Sequence, residues 1–237
     1  MKNALPLVVL CGGFGTRIKP AIGNLPKILA PINGINFLSL QLRNWTEQGV
    51  DEIILLLGYR SSQIIDEVEK LKGKYKIKIS YIVENEPLGT GGAVINFLKK
   101  KYVSDFILMN GDTYIENFYQ KFNKHEKNCL LGLKGVNNVQ RYGSVSVNTE
   151  GFVTQFKEKN ENRKGISTIN AGVLRLCASV LSDFECKNSS MEFEILPSLV
   201  ERKLLLGLPL DGYFIDIGIP EDYYSFCKRM TDFDKDD

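Results

Sequence analysis

A chain of 237 residues, 43% hydrophobic and 24% charged, has the composition of a folded globular protein. Thirty basic side chains against 28 acidic ones leave a net charge of +2, which removes the long-range field expected of a protein whose main partner is nucleic acid or an anionic membrane. Any anion the chain binds must be held by a local site, and at this length one large core folds without help from disulfides or a structural metal.

The first apolar run, residues 7–10, is far shorter than the roughly 18 to 20 residues that span a bilayer. It also lacks the longer apolar region and cleavage site of a signal peptide. The five cysteines, an odd number without C-x-x-C spacing, and the single histidine, His125, support neither a disulfide framework nor a zinc site. The expectation is a cytoplasmic protein with free thiols, and with His125 at the surface.

After a glycine-rich loop at 11–17, the spacing predicts a helix over 37–48, a buried strand over 52–57 and a helix over 61–72 with Ile64, Ile65, Val68 and Leu71 on one face. A strand over 78–83, a helix over 91–100 and a strand over 105–109 follow. Strands that are apolar throughout and alternate with helices argue a mostly parallel sheet covered on both faces. The second half changes rhythm: strands over 129–136, 143–148 and 152–158 joined by polar turns, then helices over 190–201 and 221–230. The expected architecture is α/β, a single domain over 1–230 with a β-rich insertion, followed by a frayed acidic tail over 231–237. No internal repeat or Pro- or Ser-rich linker divides it.

Cys11-Gly12-Gly13-Phe14-Gly15-Thr16-Arg17 directly follows the first strand. Its glycines permit positive φ and close approach of the backbone, so the N–H groups of the turn can converge on an anion. It is neither a Walker A loop, since no Gly-Lys-Ser/Thr follows, nor G-x-G-x-x-G, since Ile18 stands at the third glycine position. Arg17 adds a planar fork suited to phosphate oxygens, and Lys27, behind Pro26, a point charge. Asn110-Gly111-Asp112 follows the strand over 105–109, which puts Asp112 at the strand's carboxyl end, where open α/β sheets bind ligands. Asp216 also ends an apolar strand. Two such carboxylates beside a phosphate loop suit Mg²⁺, which takes one or two carboxylates plus phosphate oxygens. The alternative for Asp112 is a helix cap. Leu88-Gly89-Thr90-Gly91-Gly92-Ala93 opens a helix, and its small residues either clear space for a flat ligand or permit close helix packing.

Taken together these motifs resemble those of the sugar nucleotidyltransferases, the nucleotide-sugar pyrophosphorylases, over nearly the whole chain. The opening signature G-G-x-G-T-R followed by P-K matches Gly12, Gly13, Gly15, Thr16, Arg17 and Pro26-Lys27. Residues 88–93 are similar to the family's nucleobase loop and Asn110-Gly111-Asp112 to its metal turn. Phe156-Lys157-Glu158-Lys159 resembles F-x-E-K, Asn170-Ala171-Gly172 the N-A-G motif, and Ile215-Asp216-Ile217-Gly218 the segment with the second metal aspartate.

The resemblance implies a nucleotide-diphospho-sugar transferase fold, a Rossmann-like mixed sheet with a small sugar-binding insertion. It also implies a reaction in which a sugar 1-phosphate oxygen attacks the α-phosphorus of an NTP and releases pyrophosphate. Arg17, Lys27 and Lys159 would be catalytic; Cys11, Gly12, Gly13, Gly15, Thr16, Glu84, Gly89, Thr90 and Gly91 would bind the nucleotide. Gly143, Glu158, Lys159, Asn170 and Gly172 would bind the sugar phosphate, and Asp112 and Asp216 would hold Mg²⁺. Such chemistry needs positioning and charge neutralisation more than a protein nucleophile. The segment around 214–223 is most similar to the branch of D-glycero-α-D-manno-heptose 1-phosphate and mannose 1-phosphate guanylyltransferases. That implies GTP, a manno-configured sugar phosphate and a role in surface polysaccharide precursors. Cytidylyl-, thymidylyl- or uridylyltransfer is the alternative, as is a nucleotide-sugar-binding protein without activity. An NAD(P)-linked oxidoreductase fits poorly, because Gly58-Tyr59 stands where an acidic residue would end the next strand. The chain departs from the family in Ile28, where a second proline is usual, and in Asn160 after E-K. No C-terminal β-helix domain is expected, and a homodimer is the default assembly.

Overall fold

The computed structural model describes residues 4–127, 129–137, 143–157 and 165–233, with the side chains of 232 and 233 excepted. In chain order, β1 (Leu7–Cys11) leads through a short α1 (Lys19–Ile22) and a 3₁₀ turn at Lys27–Leu29 to the hairpin β2 (Pro31–Ile32) and β3 (Ile35–Asn36). Next come α2 (Phe37–Glu47), β4 (Glu52–Leu57), α3 (Ser61–Leu71), β5 (Lys78–Val83), α4 (Gly89–Lys100), β6 (Asp105–Asn110), β7 (Thr113–Ile115) and α5 (Tyr119–Lys124). The second half contains β8 (Leu130–Val136), β9 (Ser144–Val147), β10 (Val153–Lys157), β11 (Ser167–Cys177), a π-turn at Met191–Ile195, α6 (Leu196–Glu201), β12 (Leu206–Pro209), β13 (Phe214–Asp216) and α7 (Pro220–Phe233).

Among the described residues seven strands form one sheet in the order β12-β8-β11-β6-β1-β4-β5. β11 runs antiparallel to both neighbours, β6 and β8, while the other pairs are parallel. In the parallel core, alternate residues feed opposite faces because strand side chains point up and down in turn. Leu7, Val9, Leu55 and Met109 pack against α2, α3 and α5, whereas Val8, Ile54, Leu56 and Leu108 pack against α4 and α6. Burial on both faces explains why these strands read as unbroken apolar runs.

The expected insertion is smaller than the rhythm of the second half suggests. β8 joins the main sheet through β11, and only the ribbon β9–β10 stands apart as its own two-stranded pair. α7 extends to Phe233, three residues past the expected end at 230. A third cluster, including Ile18, Ile22, Phe37, Ile217 and Phe226, pins α7 and the β13–β7 pair beneath the glycine loop. No helix among the described residues is long and apolar enough to cross a membrane.

α2 begins at Asn36, whose Oδ1 accepts the Ser39 backbone N–H at 2.8 Å while its Nδ2 donates to Glu67 Oε1 at 2.6 Å. One side chain thus caps α2 and ties it to α3. Asn36→Ala is expected to lower stability by about 1 kcal/mol, the usual cost of a lost N-cap. For a chain of this size that is a drop in Tm of roughly 2 to 4 °C; an unchanged urea midpoint would contradict this role for the cap.

Candidate active site

The carboxyl ends of the parallel strands converge on one cleft. The glycine loop leaves β1, Gly58 follows β4, Glu84 follows β5, and Asp112 lies just past β6. Asp216 arrives separately, at the end of β13. β13 is antiparallel to β7, and Ile217 N–H donates to Asp112 C=O at 2.9 Å, so the two aspartates share one floor.

A methyl group at Gly218 would lie 2.8 Å from Asp216 Oδ1, 3.4 Å from Asp112 Oδ2 and 3.7 Å from Arg17 Nη2. Glycine leaves open the space that these three groups surround. Asp216 Oδ1 accepts the Gly218 N–H at 2.7 Å. Lys27 Nζ donates to Asp112 Oδ2 in a close ion pair, with side chains 23% and 13% exposed respectively.

Charge in this cleft is finely poised. Burial, then the nearby Asp112 charge, pushes the Asp216 carboxyl well above the usual range. Burial works against the Lys27 ammonium, but the hydrogen-bonded Asp112, with Asp216 behind it, outweighs burial and raises its pKa above the ordinary value. Cys11, half-buried beside Asp112 on the lining of the smaller lobe, is held protonated by desolvation and by that charge, which makes it a wall of the site and not a nucleophile.

The donor set fits a hard divalent cation. Two carboxylates face a gap that a Cβ would fill, and no group of three or more potential His, Cys, Asp or Glu ligands occurs among the described residues. Two carboxylates completed by phosphate oxygens and water are the arrangement Mg²⁺ favours over a full protein cage.

The Asp216 shift also carries a stability prediction. Its folded-state pKa exceeds the unfolded one, so the folded chain holds a proton that the unfolded chain releases. Stability therefore falls as pH rises from the ordinary carboxylate range through the raised value, and the cost is present at neutral pH. Asp216→Asn keeps an oxygen for the Gly218 N–H and removes the charge. It is expected to raise the Tm of the ligand-free chain at pH 7 by a few degrees (~2–4 °C per kcal/mol), with the gain shrinking on acidification. A lower Tm at pH 7 would contradict this electrostatic picture.

The cleft has two lobes. The smaller, about 380 Å³, is lined by Cys11, Gly12, Gly13, Glu84, Gly89 and Thr90 among others. The larger, about 730 Å³, takes in Arg17, Gly143, Lys157, Asn170, Gly172 and Asp216. Lys27 and Asp112 border the smaller lobe, while Arg17 and Asp216 border the larger, so the charged cluster lies at the waist.

In the smaller lobe, a methyl group at Gly58 would come within 2.2 Å of Glu84 Oε1 and one at Gly12 within 3.1 Å. The carboxylate lies in a notch cut by these two glycines. Its other oxygen, Oε2, accepts the Leu88 N–H at 3.3 Å, and burial raises its pKa against that bond. Glu84 thus lies past the end of β5, whereas the end of β4 carries Gly58 and no acidic residue.

The glycines at 89–92 serve packing as well as space. Methyl groups at Gly89, Gly91 and Gly92 would lie 2.4 Å from Ser189 O, 2.7 Å from Ser189 Oγ and 2.1 Å from Lys187 O. The start of α4 presses against residues 187–189, and Gly91 N–H donates to Ser189 C=O at 2.8 Å. Gly89 and Thr90 remain on the lobe wall, but Gly91 is buried behind it. Gly15 and Thr16 also lie off the lining; Gly15, at φ +64°, turns the chain toward Arg17.

In the larger lobe Asn170 Oδ1 accepts the Gly172 N–H at 2.8 Å, where β11 bulges and Gly172 takes φ +69°. The Asn170 amide group remains to donate into the lobe. Gly143 lies on the same lining. Glu158 and Lys159 lie outside the described residues, although Phe156 and Lys157 before them border this lobe.

The helix expected over 190–201 begins as a π-turn at Met191–Ile195, which lies outside every motif of the site and carries Glu192 and Phe193 to the cleft. Ser190 Oγ accepts the N–H groups of Glu192 and Phe193, and Glu194 Oε1 accepts the Ser190 N–H at 2.9 Å. This reciprocal cap resembles a capping box but pairs residues four apart instead of three. A search for Ser-x-x-x-Glu before an apolar pair would have found it.

Comparison with known proteins shows the family to which the chain belongs. The nucleotidyl transferase family model matches residues 7–232. The chain is 38% identical over 220 residues to D-glycero-alpha-D-manno-heptose 1-phosphate guanylyltransferase of Campylobacter jejuni, covering 92% of this chain and 97% of that one. It is 33% identical to the enzyme of the same name from Aneurinibacillus thermoaerophilus, over 95% and 98% of the two chains. Among solved structures, HddC from Yersinia pseudotuberculosis complexed with GMP-PN superposes with a TM-score of 0.85 at 38% identity, covering 95% of this chain and 99% of that one. An inositol-1-phosphate CTP transferase from T. maritima, at 16% identity and a TM-score of 0.77, shares the fold.

Proposed function

Because the chain belongs to the nucleotidyl transferase family, we propose that its cleft joins GTP to a manno-configured sugar 1-phosphate, D-glycero-α-D-manno-heptose 1-phosphate or mannose 1-phosphate, and releases pyrophosphate. The observation that carries this reading is the gathering of Arg17, Lys27, Asp112 and Asp216 at the waist between two lobes, where the phosphates of two substrates would meet.

Members of this family use a divalent metal; here the residues that would hold it are Asp112 and Asp216, and Mg²⁺ is the ion their chemistry favours. When bound, the ion neutralises and aligns phosphate oxygens.

Every other task falls to the chain itself. Backbone N–H groups of Gly12 and Gly13 face the triphosphate, and the Arg17 guanidinium takes the oxygens of the departing pyrophosphate. Lys27 exchanges its bond to Asp112 for the α-phosphate, where negative charge accumulates as the bond forms. The Asn170 amide donates to a sugar hydroxyl, and Lys159, by its place in the F-x-E-K motif, meets the sugar phosphate. The sugar phosphate oxygen bonds to the α-phosphorus while the bond from that phosphorus to the bridging oxygen breaks. Its electron pair leaves with pyrophosphate, so no protein nucleophile is needed.

Glu84 favours guanine. A carboxylate only accepts hydrogen bonds, and guanine alone among the common bases offers an adjacent ring N–H and exocyclic NH₂ on its pairing edge. Adenine presents a ring acceptor there, which the carboxylate would repel.

The test is pyrophosphate release measured over four NTPs and a panel of sugar 1-phosphates, with and without Mg²⁺. Turnover of GTP with a manno-configured sugar phosphate, dependent on the metal, is expected. Turnover only with other NTPs, or none with any manno sugar, would overturn the substrate assignment.

A further inference from the structure

Asn110 and Glu192 are the residues, among those described, that border both lobes. Asn110 belongs to the metal turn; Glu192 does not belong to any motif of the site. The turn that carries it is built with care. Its backbone N–H is capped by Ser190 Oγ at 3.2 Å, and the preceding Met191 N–H donates to Thr90 Oγ1 at 2.9 Å, which locks the turn to the start of α4. Met191 and Ile195 are buried beneath, and Pro197 follows, without an N–H to continue the ladder toward Glu192 and Phe193. π-turns are costly departures from α-helix that recur at functional sites.

This scaffold leaves the Glu192 carboxylate at the waist with no hydrogen bond or ion pair among the described residues. Asp112, Asp216 and incoming phosphates are all negative, and the two cations at the waist, Arg17 and Lys27, are engaged by those phosphates in the reaction above, so the partners left to Glu192 there are ligand hydroxyls. Its neighbour Phe193, 73% exposed, borders only the larger lobe, together with Leu196 and Pro197. An exposed ring there offers an apolar face to a sugar ring. A sugar in that lobe with its anomeric phosphate at the waist brings the hydroxyl next to the anomeric carbon, the 2-hydroxyl, closest to Glu192.

We propose that Glu192 and Phe193 form a sugar-reading element, in which Phe193 underlies the ring and Glu192 accepts a hydrogen bond from the 2-hydroxyl and so senses its configuration. The proposal rests on the larger lobe being the sugar phosphate lobe of the transfer reaction above.

Glu192→Gln and Glu192→Ala test it. The capping bonds are made by Ser190 and Glu194, so both variants keep the turn. Calorimetric binding of mannose 1-phosphate and its 2-deoxy analogue, which needs no turnover, is measured beside steady-state KM for both substrates. Hydrogen bonds to charged groups are worth enough that Glu192→Ala is expected to weaken mannose 1-phosphate binding about tenfold or more. The KM for GTP should stay within about twofold, and the wild-type preference for the 2-hydroxylated sugar should vanish. Glu192→Gln, which can still accept, should fall between. Equal sugar phosphate binding by wild type and Glu192→Ala, or a rise in the KM for GTP instead, overturns the proposal. Wild-type sugar phosphate binding without turnover in any NTP pairing overturns the transfer reaction alone, and no binding of any sugar 1-phosphate by the wild type overturns both.

Discussion

Asp112→Asn is expected to lower kcat by about 10³-fold or more at saturating substrates and metal, while far-ultraviolet circular dichroism stays near wild type. Asp112 is one of two carboxylates around the gap at Gly218, and the backbone of its turn is held independently by the Ile217 N–H and by Gly111 N–H donating to Leu10 C=O at 2.9 Å. The substitution removes a charge without disturbing those bonds. A metal that aligns and neutralises phosphates supplies several kcal/mol to such a transition state, and about 4 kcal/mol corresponds to roughly 10³ in rate. Activity within tenfold of wild type at ordinary metal concentrations would show that Asp112 is not a metal ligand.

Lys27→Met carries the second large effect, and it separates two roles. In the ligand-free chain Lys27 bonds to Asp112 and so places a tethered cation where a metal would bind. Once the triphosphate arrives, the same ammonium has a better partner in the α-phosphate. Removing it is expected to lower kcat about 10²- to 10³-fold, the usual effect of losing one preorganised transition-state donor. Metal binding without nucleotide should move the other way. A unit charge about 4 Å away is worth up to ~4 kcal/mol at an effective dielectric near 20, so Mn²⁺ affinity of ligand-free Lys27→Met should rise about tenfold or more. Paramagnetic titration reads this directly. Unchanged or weaker Mn²⁺ binding would contradict the competition between lysine and metal.

The sheet and the site differ in how far local sequence reveals them. β1, β4 and β6 are buried on both faces and so appear as plain apolar runs, and α3 shows its stripe of Ile64, Val68 and Leu71. β11 was harder to see. Its first half, Ser167 to Asn170, is polar on the cleft side, and the bulge at Asn170–Gly172 breaks the alternation that would mark an 11-residue strand. That hidden strand is what carries β8 and β12 into the main sheet, so the second half read as an insertion larger than the β9–β10 ribbon.

Within the site, glycine loops and strand-end carboxylates are local features, legible from spacing. Partnerships are not. Lys27 and Asp112 are 85 residues apart, and nothing near either one announces the other. The glycines at 89–92 could be read as space or as packing, and only the approach of residues 187–189 shows that they serve both. The helix start at Ser190 is legible, but Glu192 belongs to no motif, and only the tertiary docking of its π-turn beside the start of α4 brings it to the cleft.

The proposed reaction breaks the bond from the α-phosphorus to the oxygen that bridges it to the β-phosphate and passes the nucleotidyl group to a sugar phosphate. The most direct measurement follows the label from [α-³²P]GTP and, separately, [γ-³²P]GTP in the presence of mannose 1-phosphate and Mg²⁺. The α-label is expected in a nucleotide sugar and the γ-label in pyrophosphate, one for one, with neither product formed when the sugar phosphate is left out. Label from the γ-position in the sugar product, or in free orthophosphate without a nucleotide sugar, would contradict it.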